Sequence, residues 1–132
     1  MKTELTSLVW VTVLTGVIWI PYIMDRVMTW GLMDTVGYPV NPNPQSLWAA
    51  RMIKAHQNAV ENLVVFATLV LSAHALGVSN DVTVSACCVY LWARVVHLAA
   101  YTLRIPWVRT LAFAVGFGSQ MTLAWQILAK QV

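Results

Sequence analysis

The sequence of 132 residues is 59% hydrophobic and only 10% charged, with a formal net charge of +3. Soluble domains carry about 25% charged residues, so this chain lacks the polar surface that keeps a compact fold in water. Its basic residues are dispersed and form no patch of the kind that binds nucleic acid. The adjacent Cys87 and Cys88 are expected to be free and buried, because neighbouring cysteines rarely pair. Composition therefore predicts an integral membrane protein with one domain, residues 1–132.

Four apolar segments are each long enough to cross a bilayer as a helix, which takes about 20 residues. The first is expected to remain in the protein, because it is too long for the core of a signal peptide and no cleavage site follows it. The sequence thus predicts an all-α bundle of four transmembrane helices. The expected spans are residues 5–24, 46–76, 82–103 and 107–129.

Helix-breaking and helix-capping residues stand at the boundaries of these segments. Pro21 predicts a kink late in the first span, because proline cannot donate the backbone hydrogen bond of a helix interior. Ser46 is suited to the N-cap of the second helix and Gly77 to its C-cap. Asn80 or Asp81 is suited to the N-cap of the third.

The basic residues predict the orientation of the chain. The first and third connections, with the adjoining helix ends, hold most of them, and the opposite side holds only Lys2 and Lys130. The positive-inside rule then places these connections in the cytoplasm and both termini outside it. The residues of the basic side are Arg26, Arg51, Lys54, Arg104 and Arg109.

Two opposite charges lie deep within the predicted spans. Glu61 and Arg94 are each about ten residues from the cytoplasmic helix ends, which corresponds to roughly 15 Å. An unpaired charge at that depth costs several kcal/mol, and the two helices are consecutive and antiparallel. We therefore expect Glu61 and Arg94 to form a buried ion pair.

Polar side chains extend this pair into two stripes that share a cavity. At about 100° per residue, four polar residues fall on one side of the second helix and four on one side of the third. Polar residues of this density in a membrane are expected to face a cavity, here open to the cytoplasm. The stripes are Arg51, Lys54, Asn58 and Glu61, and Tyr90, Arg94, His97 and Tyr101.

The charges of the cavity predict its ligand. Cations outnumber acids, which favours a small ligand with net negative charge that also carries an amine for Glu61. We expect no metal, because the histidines do not share a face with a second metal-ligating residue. The protein supplies no evident nucleophile, so the ligand is expected to bring its own.

Two motifs carry a family resemblance across essentially the whole chain. One is RMIKAHQNAVENL, residues 51–63, with an Asn-x-x-Glu core at Asn58 and Glu61. The other is ARVVHLAAYTLRIPWVRT, residues 93–110, with an Arg-x-x-His-x-x-x-Tyr face and a following arginine. With these motifs in order on the second and third of four spans, the chain resembles the family of membrane-associated proteins in eicosanoid and glutathione metabolism (MAPEG), which includes microsomal glutathione transferases.

The resemblance implies a homotrimer that binds glutathione between neighbouring subunits near the cytoplasmic face. It implies that Asn58 and Glu61 hold the peptide and γ-glutamyl parts, that Arg109 stabilises the thiolate, and that Arg26 adds a second cation. Arg109 and Tyr101 are the expected catalytic residues. The expected glutathione-binding residues are Arg26, Arg51, Lys54, Asn58, Glu61, Arg94, His97 and Tyr101.

Three functions remain open on the sequence. The first is a membrane glutathione transferase or peroxidase that acts on lipophilic electrophiles or hydroperoxides. The second is a protein of the same fold that binds another anionic thiol or a lipid, or has lost catalysis. Gln57 and Lys54, which stand where relatives have arginine, favour this second reading. The third is a structural protein that Glu61 and Arg94 hold together without a ligand.

Overall fold

The computed structural model describes residues 1–131, which form six helices. Four helices are long and apolar enough to cross a membrane, the first of them broken into α1 and α2. This confirms the predicted all-α class and the four spans. The helices are α1 (Lys2–Val17), α2 (Trp19–Trp30), α3 (Leu32–Val36), α4 (Leu47–Ala75), α5 (Asp81–Thr102) and α6 (Pro106–Gln131).

The first span is interrupted by one residue, Ile18, on the N-terminal side of Pro21. Helix α1 ends at Val17, four residues before the proline, and α2 resumes at Trp19. The ring of a proline clashes with the carbonyl four residues earlier and offers it no N–H, which accounts for the position of the break. The span then continues to Trp30, six residues beyond the predicted end at residue 24, and stops at Gly31, whose φ is 83°.

A tight turn joins α4 to α5. Gly77 adopts φ 70°, and the Val78 N–H donates to the Ala73 carbonyl at 2.8 Å, as in a Schellman motif. Gly77 thus lies one residue beyond the C-cap itself, in the left-handed position that glycine favours. Of the two candidate caps for α5, Asn80 takes the role, and its side chain accepts from two backbone N–H groups of the first turn.

Ser46 occupies the N-cap position of α4 but does not cap the helix with its side chain. Its hydroxyl donates instead to Asp25 Oδ1 at 2.5 Å, and its backbone N–H donates to Asp25 Oδ2 at 3.1 Å. A capping side chain would accept from an N–H of the first turn, whereas this hydroxyl donates to a carboxylate in a charge-assisted bond. The predicted position of the N-cap is therefore correct, but the predicted side-chain cap is absent. The contact with Asp25 instead connects α2 to the start of α4.

The apolar core fills the half of the bundle nearer the chain termini. Helix α5 packs against α1, α4 and α6, and the Phe66 and Tyr90 rings stack with centroids 3.9 Å apart. Cys87 is buried in this core as expected, whereas Cys88 is half-buried, and both are free. The other half of the bundle carries the polar stripes except for Tyr90, which was predicted to face the cavity and instead lies in the apolar core. The buried core residues are Leu8, Val11, Phe66, Val70, Ala86, Cys87, Tyr90 and Leu123.

Candidate functional site

Arg94 is held by an amide rather than by a carboxylate. It is 5% exposed and donates from Nη2 to Asn58 Oδ1 at 2.9 Å. The predicted ion pair with Glu61 is wrong for the single subunit: within residues 1–131, Glu61 is exposed and forms no ion pair. Three residues turn a helix by about 300°, so Glu61 is rotated about 60° away from Asn58 and from α5.

Asn58 is itself held by a chain of amides that reaches α6. Asn62 Nδ2 donates to the Asn58 carbonyl at 2.9 Å and to Asn58 Oδ1 at 3.3 Å. Gln120 Nε2 donates to the Asn62 carbonyl at 3.2 Å and is 3% exposed. Gln120 is not among the residues predicted from the sequence, although it is one of only two amides, with Gln126, in the otherwise apolar stretch between Arg109 and Lys130.

Next to this chain of amides, three side chains stack at the junction of α5 and α6. The guanidinium carbon of Arg109 lies 4.9 Å from the centroid of the Tyr101 ring. His97, one helical turn before Tyr101, meets that ring edge-on with centroids 5.6 Å apart. His97 is 2% exposed, and its Nδ1 has no hydrogen-bond partner in the described part of the chain. A buried nitrogen without a partner favours a ligand that supplies one.

These side chains converge on one cleft of about 280 Å³, here called the His97 cleft. It brings together an amide, an imidazole, a phenol ring and a cation, and Arg94 is joined to it through Asn58. Such a set binds polar and anionic groups of a small ligand by hydrogen bonding and charge. The lining residues are Asn58, His97, Tyr101, Arg109, Thr110 and Phe113.

A second cleft, of about 270 Å³, shares Tyr101 and Arg109 with the first and is here called the arginine cleft. Arg51 belongs to this cleft, where its Nε donates to the Thr102 carbonyl at 2.9 Å. Arg51 therefore lies close to the predicted site but on a different cavity. The lining residues are Arg51, Ala100, Tyr101, Arg104, Ile105, Pro106 and Arg109.

Three predicted site residues lie away from both clefts. Lys54 and Glu61 are exposed on the outer side of α4. Arg26 donates from Nε to Gln45 Oε1 at 3.0 Å and packs 5.0 Å from the Trp30 ring centroid. The single subunit thus assembles six of the nine expected residues: Arg51, Asn58, Arg94, His97, Tyr101 and Arg109.

Comparison with known proteins supports the resemblance that the motifs suggest. The model of the MAPEG family matches residues 7–129, a range that overlaps all four spans and contains every residue that lines the two clefts. The chain belongs to the MAPEG family. Its members include glutathione transferases and related enzymes. Among curated proteins, no sequence matches this chain significantly.

The donor set of this MAPEG chain differs from that of a metal centre. Within residues 1–131, no group of three or more His, Cys, Asp and Glu side chains lies close enough to hold a metal ion. His56 is engaged elsewhere, since its Nδ1 lies 2.8 Å from the Tyr22 hydroxyl. The chemistry that the clefts offer is therefore that of cations, amides and aromatic rings toward a polar ligand.

Proposed function

We propose that the protein is a membrane-embedded glutathione-dependent transferase or peroxidase that acts on lipophilic electrophiles or hydroperoxides. The observation that carries the proposal is the convergence of Asn58, His97, Tyr101 and Arg109 on the His97 cleft. Glutathione suits this cleft because it carries two carboxylates, one amine and its own thiol. MAPEG membership supports the same substrate class.

Arg109 is the proposed activating cation. A positive charge beside a thiol stabilises the thiolate and lowers the thiol pKa, which raises the nucleophile concentration at neutral pH. Stacking on Tyr101 holds the guanidinium in place. The thiol proton passes to solvent, the sulfur forms a bond to the electrophilic carbon, and the leaving group departs with its electron pair.

Asn58 and His97 are the proposed groups that orient the peptide part of glutathione. The Arg94 hydrogen bond occupies Asn58 Oδ1, so the Asn58 amide nitrogen is directed as a donor. His97 lines the same cleft, and its buried Nδ1 has no hydrogen-bond partner within residues 1–131, so this ring can donate or accept once a ligand reorders the site. These groups fix the ligand so that its sulfur lies beside Arg109, which is the geometric part of catalysis.

We further propose that the protein is a homotrimer in which a neighbouring subunit covers the outer side of α4. Glu61 stands at the midpoint of α4 and is exposed on a single subunit. A charge facing lipid at that depth costs several kcal/mol, so the arrangement favours cover by protein. Glu61 and Lys54 of one subunit, with Arg26 of the next, would then complete the glutathione site. In this orientation both termini lie outside the cytoplasm and the site opens toward it.

A second candidate function is a MAPEG-fold protein that binds another anionic thiol or a lipid, or is inactive. The position of Lys54 and Gln57 favours it, because both are exposed on α4 where the family resemblance leads us to expect arginine. Lysine lacks the paired donors with which arginine binds a carboxylate. Loss of those paired donors would weaken the binding of glutathione more than the binding of a ligand with a single charge.

Turnover with two substrates tests the proposal. Purified protein in detergent is assayed for conjugation of glutathione to chlorodinitrobenzene and for glutathione-dependent reduction of cumene hydroperoxide. We expect activity in at least one assay, abolished in Arg109→Ala and preserved in Lys130→Ala, which removes an exposed charge at the opposite end. Inactivity of a well-assembled oligomer in both assays, or full activity of Arg109→Ala, would contradict it.

A further inference from the structure

The arginine cleft holds one more arginine than the proposed glutathione chemistry uses, because Arg104 has no role in that chemistry. Arg51, Arg104 and Arg109 all line it, and none of its lining residues is acidic. Within residues 1–131, none of the three takes part in an ion pair. Like charges that share a small cavity repel one another, so the arrangement is stabilised when an anion enters.

The three arginines also have donors to spare. Arg51 uses Nε on the Thr102 carbonyl, which fixes the plane of its guanidinium and leaves the terminal nitrogens for a ligand. Arg109 is held by the Tyr101 ring rather than by a hydrogen-bond acceptor. Guanidinium groups match the oxygens of phosphate with paired N–H donors, and they do so better than lysine.

Arg104 is placed at the cleft by a backbone conformation that most residues avoid. It adopts φ 61°, and the Ile105 N–H donates to the Ala100 carbonyl at 2.8 Å. This is the same turn that ends α4, where the corresponding residue is Gly77 with φ 70°. A residue with a side chain is strained in the left-handed region, which glycine adopts freely. Arginine at this position is thus disfavoured by the backbone, which points to a use for the side chain.

The position of the cleft selects the source of the anion. It lies at the turn between α5 and α6, where two membrane-spanning helices end and begin. Lipid phosphates lie at that level of a bilayer. The volume of about 270 Å³ is smaller than that of typical drug-sized sites, about 300–1,000 Å³, and suits one headgroup.

We propose that the arginine cleft is a binding site for a phosphate group, supplied by the headgroup of an anionic membrane lipid. The proposal goes beyond the glutathione chemistry of the His97 cleft, although the two clefts share Tyr101 and Arg109. Substitution of Arg104 distinguishes phosphate binding from glutathione chemistry, because Arg104 lines the arginine cleft and not the His97 cleft.

Lipid binding to the intact protein tests the proposal by native mass spectrometry of the detergent-purified oligomer. The probes are short-chain phosphatidic acid and phosphatidylcholine of the same chain length, with inorganic phosphate as competitor. We expect saturable retention of phosphatidic acid over phosphatidylcholine. Displacement by inorganic phosphate would show that the phosphate alone suffices, and its failure would show that the lipid part is also needed; both support the site.

Arg104→Gly is the decisive variant, because glycine suits the left-handed backbone and the turn is preserved. We expect the melting temperature of this variant to equal or exceed that of the wild-type protein. Its affinity for phosphatidic acid should be about tenfold lower than that of the wild type, because one charge-assisted contact is lost. Lys130→Ala is the matched control for loss of one exposed charge and should bind normally. Equal retention of the two lipids, or unchanged binding by Arg104→Gly, would overturn the proposal.

Discussion

The guanidinium of Arg109 lies against the Tyr101 ring, with its central carbon 4.9 Å from the ring centroid, and the two side chains form the wall between two clefts. The contact crosses the shortest connection between membrane-spanning helices, since α5 ends at Thr102 and α6 begins at Pro106. A rigid turn therefore fixes the cation, as preorganised charge stabilisation requires.

The Tyr101 ring is expected to matter more than its hydroxyl. Tyr101→Leu removes the surface on which Arg109 stacks, and a partly desolvated cation–π contact is worth about 1–2 kcal/mol, so kcat/KM for glutathione conjugation should fall about tenfold. Tyr101→Phe keeps the ring and should retain most of the activity. Steady-state kinetics of both variants checks this, and a Phe variant as impaired as the Leu variant would instead assign the main role to the hydroxyl.

Arg94 and Asn58 are expected to be energetically coupled. A hydrogen bond from a charged group contributes about 1.5–3 kcal/mol to stability, so a double-mutant cycle of Arg94→Met and Asn58→Leu on the free energy of unfolding should show coupling in that range. The Arg94→Met variant should remain folded, because Asn58 Oδ1 keeps the Asn62 Nδ2 donor at 3.3 Å, and it should bind glutathione more weakly. Additive effects of the two changes would contradict the contact.

The outer side of α4 is expected to face a second copy of the chain. In a background of Cys87→Ala and Cys88→Ala, Glu61→Cys combined with Arg26→Cys should form intersubunit crosslinks with a short bifunctional maleimide in native membranes, because the proposed trimer brings these two positions together. Val89→Cys combined with Arg26→Cys is the matched control, on an exposed apolar side of α5, and should remain monomeric. Crosslinking at Val89 and not at Glu61 would place the subunit interface on α5 instead of α4 and would contradict the prediction.

Asp25 is expected to order the segment before α4. Its carboxylate accepts from the Ser46 hydroxyl and backbone N–H, and also from Gln45 Nε2 at 3.3 Å. Loss of such charge-assisted bonds in Asp25→Ala should loosen the Pro-rich residues 37–46, so limited proteolysis there should accelerate about tenfold. Asp34→Ala, an exposed acid in α3, is the control. Equal cleavage of the two variants would show that the contact does not order the segment.

Elements whose cause is local were predictable from the sequence. The Pro21 break and the Asn80 cap follow from which backbone groups each residue can or cannot satisfy, and both are present. The extension of the first span to Trp30 was not predictable, because no residue between 25 and 30 opposes helix formation and hydropathy alone sets the expected end.

The candidate site was predictable as a set of residues but not as a set of contacts. Helical spacing placed Asn58 and Glu61 in one sector, but a rotation of about 60° between them decides which reaches α5. The Arg94 side chain therefore meets Asn58 and leaves Glu61 outside. Gln120 acts through a backbone carbonyl of α4, and periodicity within one helix carries no information about such partners.

Formation of the glutathione thiolate tests the central claim most directly. Glutathione is mixed with the purified oligomer in a stopped-flow instrument, and the ultraviolet absorbance of the thiolate and the released proton are followed together. We predict a saturable thiolate signal with one proton released for each thiolate formed, absent in Arg109→Ala and partly retained in Arg109→Lys. An assembled wild-type protein without any thiolate signal, or an Arg109→Ala variant with the full signal, would contradict the account.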